Sequence, residues 1–175
     1  MFSIHRLGLG EESRTQLQEE VLHHYGSELA GQSPPQLLLW IDCWSGTGGT
    51  RVVELIAAAI DRMADSSYRR QPILRVAATA EMAFHLRGQV AHRLFEIPMA
   101  RNVCYTSLDA AAARILQRRL RDIRYLIMDG RGMATWEGWD WVDQRCRDIF
   151  PSRRGEPFGG VNVVMLIDSQ SETCM

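Results

Sequence analysis

No lysine occurs anywhere in these 175 residues; all 20 side chains of the Lys/Arg class are arginine. The simplest cause is codon bias in a GC-rich genome, and a sharper one is escape from lysine modification. Cysteine is sparse. Cys43, Cys104, Cys146 and Cys174 stand far apart with no C-x-x-C pair, so neither a zinc site nor a redox motif is indicated, and a reduced compartment is the simplest assumption. No apolar run reaches membrane-spanning length, and the opening MFSIHRLGLGEE lacks the apolar core of a signal peptide. The expectation is a soluble intracellular protein of nucleus or cytoplasm, with no membrane partner. Excess charge is also missing. The 20 basic residues face 21 acidic ones, so net charge gives no case for nucleic acid. There is no internal repeat and no low-complexity tract.

What is present is alternation. Residues 11–30 place Leu17, Val21, Leu22, Tyr25 and Leu29 at helical spacing, and Gly31 to Pro35 break the pattern. Continuous apolar runs at 37–41, 73–78, 125–128 and 161–167 have the character of strands buried on both faces. Between them lie helical patterns at 50–63, 80–88, 90–97, 110–121 (with Asp109 as cap) and 136–150, the last with Trp139, Val142, Cys146 and Ile149 as a buried stripe. Residues 151–160 are turn-rich. Strands alternating with helices predict an α/β domain with a parallel sheet and helices on both faces. In such sheets ligands bind at the carboxyl ends of the strands. The loop after the first run, Thr79, Asp129 and Asp168 all fall there.

That loop organises the chain. LLLWIDCWSGTGGTRVVE is an apolar run, a glycine-rich turn and a helical pattern. It is the strand–loop–helix of a phosphate-binding loop, in which glycines let backbone N–H groups curl round phosphates, a lysine reaches the terminal phosphates and the next Ser/Thr holds magnesium. Gly46, Thr47, Gly48, Gly49 and Thr50 are its candidate nucleotide-binding residues. The lysine position is Gly49, and no lysine exists to reach in from elsewhere. Two readings stand, residual nucleotide binding or a retained turn that packs strand on helix. A charge-assisted hydrogen bond contributes about 1.5–3 kcal/mol, and the missing lysine would make more than one, which favours the second. Arg51 comes one position late and projects from a different helix face.

Over most of its length, from about Glu11 onward, the chain resembles the first motor domain of a superfamily-1 DNA helicase of the petite-integration-frequency (Pif) type, as spread by Helitron-like transposons in filamentous fungi. The resemblance is carried by PPQLLLWID, the loop, VAATAEMAFHLRGQVAHRLFEIP, RYLIMD, WVDQRCRDIFP and EPFGGVNVVMLID. It implies a single RecA-like domain over 1–175, with a helical lead-in at 11–30, a core at 36–175 and no second motor domain. It also implies ATP-driven DNA unwinding with magnesium-ATP as cofactor. The matches are Gly46, Gly48, Thr50, Thr79, Ala83, Gly88, His92, Phe95, Pro98, Asp129 as magnesium-linked carboxylate, and Asp168. The departures fall on the chemistry. Gly49 stands for the lysine, Gly130 for the catalytic glutamate, Ala80 for a glycine, Ser171 (or Gln170) for the γ-phosphate-sensing glutamine, and Arg14 for the adenine-reading glutamine. No catalytic residue is therefore assigned, and turnover is not expected.

Metal contact is assigned only to Asp129 and Thr50; a strand-end carboxylate satisfied by local N–H groups is the competing reading of Asp129. Thr79, His92, Arg118, Arg119 and Trp136 are candidate contacts for DNA or a partner. Against this, His92 suits an apolar helix, Arg118 and Arg119 suit a solvated face, and Trp136, Trp139 and Trp141 suit core or partner-facing positions. His23 and His24 are placed on a polar helix face. The leading expectation is a non-catalytic interaction protein. Its alternatives are a nucleotide- or DNA-binding module, or a working helicase ATPase. Cys43, Trp44, Ile167 and Cys174 are apolar replacements around the strand ends, which points to self-association or a protein partner there.

Overall fold

The computed structural model describes residues 3–6, 11–42, 48–67, 71–98, 104–130 and 136–167. The elements run β1 (Ser3–Arg6), α1 (Glu11–Leu29), β2 (Leu38–Asp42), α2 (Gly49–Ser66), β3 (Ile73–Ala77), α3 (Ala80–His85), β4 (Gln89–Val90), α4 (Ala91–Leu94), α5 (Ala110–Leu120), β5 (Tyr125–Asp129), α6 (Trp136–Ile149) and β6 (Asn162–Ile167). Two short 3-10 turns, Pro151–Arg153 and Pro157–Gly160, link α6 to β6.

The strands form one parallel sheet in the order β1-β2-β6-β5-β3-β4. The order dictates where the helices lie. The steps β1 to β2 and β2 to β3 move in one direction across the sheet, while β4 to β5 and β5 to β6 move back. Because parallel crossovers are right-handed, the first pair of steps puts α1 and α2 on one face and the second puts α5 and α6 on the other. The side chains agree. Leu39, Ile41, Tyr125, Ile127, Val164 and Leu166 face α1 and α2. Their neighbours Leu38, Leu126, Met128, Val163 and Met165 face α5 and α6. Period-two alternation with both faces covered is why the strands read as unbroken apolar runs.

The four anticipated central strands and the six helical segments are present, within a few residues of the expected ends. Two strands were not anticipated. SIHR at β1 is too short and polar to stand out, and it becomes a strand only by pairing Ser3 to Leu39 and Ile4 to Trp40. The helix expected at 90–97 begins instead at Ala91, and Gln89–Val90 form a two-residue edge strand beside Val76–Ala77.

One expectation is overturned. His24 does not sit on a polar face. It is half-buried, with Nδ1 2.6 Å from the Tyr125 hydroxyl and Nε2 2.8 Å from the Pro35 carbonyl oxygen. With Nε2–H donating to Pro35 and Nδ1 accepting from Tyr125, the ring ties α1 to β5 and to the entry of β2. α1 folds over the start of β5, and that places a nominally outward position against the sheet.

Candidate functional site

All central strands run the same way, so their carboxyl ends share one edge of the sheet. β2 ends at Asp42, 6% exposed, and β5 at Asp129, 1% exposed. Gly46 and Thr47 lie outside the described residues, as do Cys43, Trp44, Asp168, Gln170, Ser171 and Cys174. The exit of the loop is described. Gly48 has φ 78°, the left-handed backbone that glycine permits, and its carbonyl accepts from Val52 N–H at 3.2 Å as α2 begins at Gly49. Thr50 is half-buried. Arg51 does not turn back over the loop: its side chain is 71% exposed and paired with Glu54 at 3.3 Å. The cation brought to the loop exit is Arg14 of α1, whose guanidinium lies 3.5–3.6 Å from where a Cβ on Gly48 would stand.

Position 130 has the tightest geometry of the edge. Gly130 N–H donates to the Leu166 carbonyl at 2.9 Å, so the residue continues the β5–β6 ladder. A Cβ there would stand 2.0 Å from Cη2 and 2.1 Å from Cζ2 of Trp139, and 2.8 Å from the Leu166 oxygen. The tip of the Trp139 indole occupies the space that any side chain at 130 would need. Trp139 is half-buried and its ring packs on the α5/α6 core.

The remaining candidates divide. Thr79 Oγ1 accepts from Met82 N–H at 3.2 Å and caps α3, at the strand-end edge. His92 is half-buried on α4. Arg118 and Arg119 lie on the exposed side of α5, and Arg119 donates to Oε1 of Gln89, on the edge strand beside Val76, at 2.5 Å. Trp136 opens α6, and its side chain lies outside the described residues. Trp141 is 8% exposed and part of the core. Among the described residues no group of three or more His, Cys, Asp or Glu could hold a metal ion. A polar cleft of about 640 Å³, lined in part by Glu28, Arg124 and Arg153, opens near the amino-terminal ends of β5 and β6, away from the loop.

Several residues were missed in the sequence. Arg145, 4% exposed, donates to the carbonyls of Phe95 at 2.9 Å and Thr106 at 2.7 Å and lies 5.1 Å over the Trp141 ring. Asp148 accepts from the Tyr105 hydroxyl at 2.5 Å and from Leu108 N–H at 3.2 Å. Together they fasten the segments around 95–98 and 104–108 to α6. Burial, with the Asp148 hydrogen bond, pushes the Tyr105 hydroxyl up to about 12. The available signal was an arginine set between Val142 and Cys146, within a buried stripe. Phe84 of α3 was also passed over. It is 80% exposed, edge-on to His85 with centroids 6.0 Å apart.

A parallel sheet with a glycine-exit loop after β2, the strand β6 inserted between β2 and β5, and a carboxylate ending β5 defines a RecA-like α/β domain. Residues 15–171 match the family described as PIF1-like helicase, and the chain belongs to that family. Among solved structures it is similar to unliganded Pif1 from Bacteroides sp (22% identity, TM-score 0.62, 93% of this chain and 32% of that one). It is also similar to Bacteroides Pif1 in complex with ADP-AlF3 and ssDNA (20% identity, TM-score 0.58, 93% and 32%). Pif1 helicase from Candida albicans aligns at 18% identity with TM-score 0.60, over 91% and 32%. The chain spans about a third of those proteins. No curated protein matches the sequence.

Proposed function

We propose that this chain is a Pif-type motor domain that keeps the fold without the ATP turnover and acts as a non-catalytic interaction protein, through the face at the strand ends. The observation that carries this is the Trp139 indole filling the place of a side chain at Gly130. In the resemblance that position holds the glutamate that orients and deprotonates water, and phosphoryl transfer depends on such positioning. The absence of lysine and the engagement of Arg51 with Glu54 remove the cation that would neutralise the terminal phosphates. The residues present therefore do not fit turnover of magnesium-ATP, and no step is derived through it. The turn at Gly48, with Arg14 beside it, is compatible with weak phosphate contact. A single RecA-like domain of intracellular location, in nucleus or cytoplasm, descended from a fungal Helitron-like helicase, completes the reading.

The test is phosphate release by the purified chain with magnesium-ATP and single-stranded DNA. Background release is expected; DNA-stimulated release would overturn the proposal. A second reading, DNA binding without turnover, is supported by Phe84, an exposed ring on the helix that follows Thr79, since exposed aromatics stack bases with about 1–3 kcal/mol each. Fluorescence anisotropy with labelled single-stranded DNA separates the two. Binding that falls roughly tenfold or more in Phe84→Ala favours the second.

A further inference from the structure

α5 and α1 lie on opposite layers of the molecule, and each turns a charged face outward. On α5 the exposed residues include Ala111, Arg114, Ile115, Arg118 and Arg121, which line a shallow groove with Ile115 57% exposed at its centre. Among the described residues, Arg114 donates to the Ala110 carbonyl of its own helix, at 2.9 Å, and Arg121 to its neighbour Asp122, at 3.3 Å. On α1 the exposed residues Glu12, Thr15, Gln16 and Glu19 line a second shallow groove. Glu12 to Glu19 and Arg114 to Arg121 are each seven residues of helix, a span of about 10.5 Å at 1.5 Å per residue. The carboxylates at the ends of one face therefore match the guanidiniums at the ends of the other, whichever way the helices run. One face thus presents carboxylates and the other guanidiniums.

We propose that copies of this chain associate head to tail, with the basic α5 face of one copy docked on the acidic α1 face of the next, the aliphatic stems of Thr15 and Gln16 covering Ile115. The contact is heterologous, so it builds a ring or an open stack rather than a twofold dimer. It is separate from the strand-end face and independent of nucleotide chemistry. Exposed ion pairs are individually weak and salt-screened, so the association is of low affinity and salt-sensitive.

Sedimentation velocity over a wide concentration range, at low and high salt, tests it with two charge reversals, Arg114→Glu with Arg121→Glu, and Glu12→Arg with Glu19→Arg. Circular dichroism checks that each variant is folded. The wild type is expected to associate at low salt and to dissociate at high salt. Each reversed variant alone should associate at least about tenfold more weakly, because attraction becomes repulsion at both ends. An equimolar mixture of the two should recover association in alternating order, because the reversed α5 face of one variant complements the reversed α1 face of the other while the two unreversed faces pair as in the wild type. A monomeric wild type, variants that associate as the wild type does, or a mixture that stays monomeric would each overturn the proposal. So would loss of oligonucleotide binding in the α5 variant with self-association unchanged, which would mark α5 as a phosphate-contacting face.

Discussion

A glycine at position 130 is demanded by its neighbours. The Leu166 oxygen and the Trp139 ring converge on the same point, 2.8 and 2.0 Å from a would-be Cβ. Forcing extra atoms into a packed site costs about 1–3 kcal/mol. Gly130→Ala is therefore expected to lower the unfolding free energy measured by urea denaturation by an amount in that range, and Gly130→Glu by more. In a Trp139→Ala background the penalty for Gly130→Ala should shrink, because the ring is gone while the Leu166 oxygen stays. Contacting residues couple in this way. A Gly130→Ala variant as stable as the wild type would show that the indole yields freely, and would remove the main support for a blocked site. Arg14 and Arg51 make the complementary point about charge: the guanidinium one residue past the loop is committed outward to Glu54, while one from another helix arrives at Gly48.

At the scale of elements, α6 is the organiser of its layer. Val142, Cys146 and Ile149 bury its apolar face, while Asp143 and Arg145 hold what lies on either side. Asp143 accepts from Phe158 N–H at 2.5 Å and from Arg147 Nε at 2.7 Å, which fixes the turn leading into β6. That turn needs Gly159, at φ 59°, because a Cβ would stand 2.6 Å from the Cys146 carbonyl. Removing one partner of a buried ion network leaves the others unsatisfied, at a cost of about 3–5 kcal/mol. Arg145→Met is expected to destabilise by that order and to raise amide exchange at Leu108, whose N–H bonds to Asp148; unchanged exchange there would refute the clamp. Tyr105 adds a pH signature. Its hydroxyl is raised from 10.0 to about 12 by burial and by its bond to Asp148. A raised acid is held neutral in the folded state, so this contribution is complete below pH ~10 and lost as pH climbs towards ~12. Titration by tyrosinate absorbance should show the hydroxyls of Tyr105 and of Tyr125, also raised by burial, ionising late in the folded protein and not in urea, with the later of the two lost to Tyr125→Phe and the other to Tyr105→Phe.

For the whole molecule, the proposed reading is that the fold and the chemistry have parted. The sheet, both layers and the family match over residues 15–171 are present, while the positions that the resemblance gives to lysine and glutamate are both glycine. Groups that act as a unit in catalysis are far from additive, so restoring some returns little. The triple change Gly49→Lys, Gly130→Glu and Trp139→Ala, which supplies both groups and clears the space, is expected to recover magnesium-ATP binding by calorimetry at most, with phosphate release still at background. Turnover in the triple variant would mean that these positions alone had separated this chain from an active motor.

The sequence by itself determined the parallel α/β layering, the position of the loop and the missing lysine, because these depend on short-range facts: apolar periods of two and 3.6, glycine at a turn, the identity of one side chain. Even the two-sided placement of the helices follows once strand order is known. Tertiary structure alone decided what packs against Gly130 and what holds the layers. Gly130 and Trp139 meet only because α6 folds back over the end of β5. His24 finds Tyr125 across 101 residues, and Arg145 finds Phe95 across 50. Such contacts depend on how crossovers set one helix against another face of the sheet, and no local period in the chain records that distance.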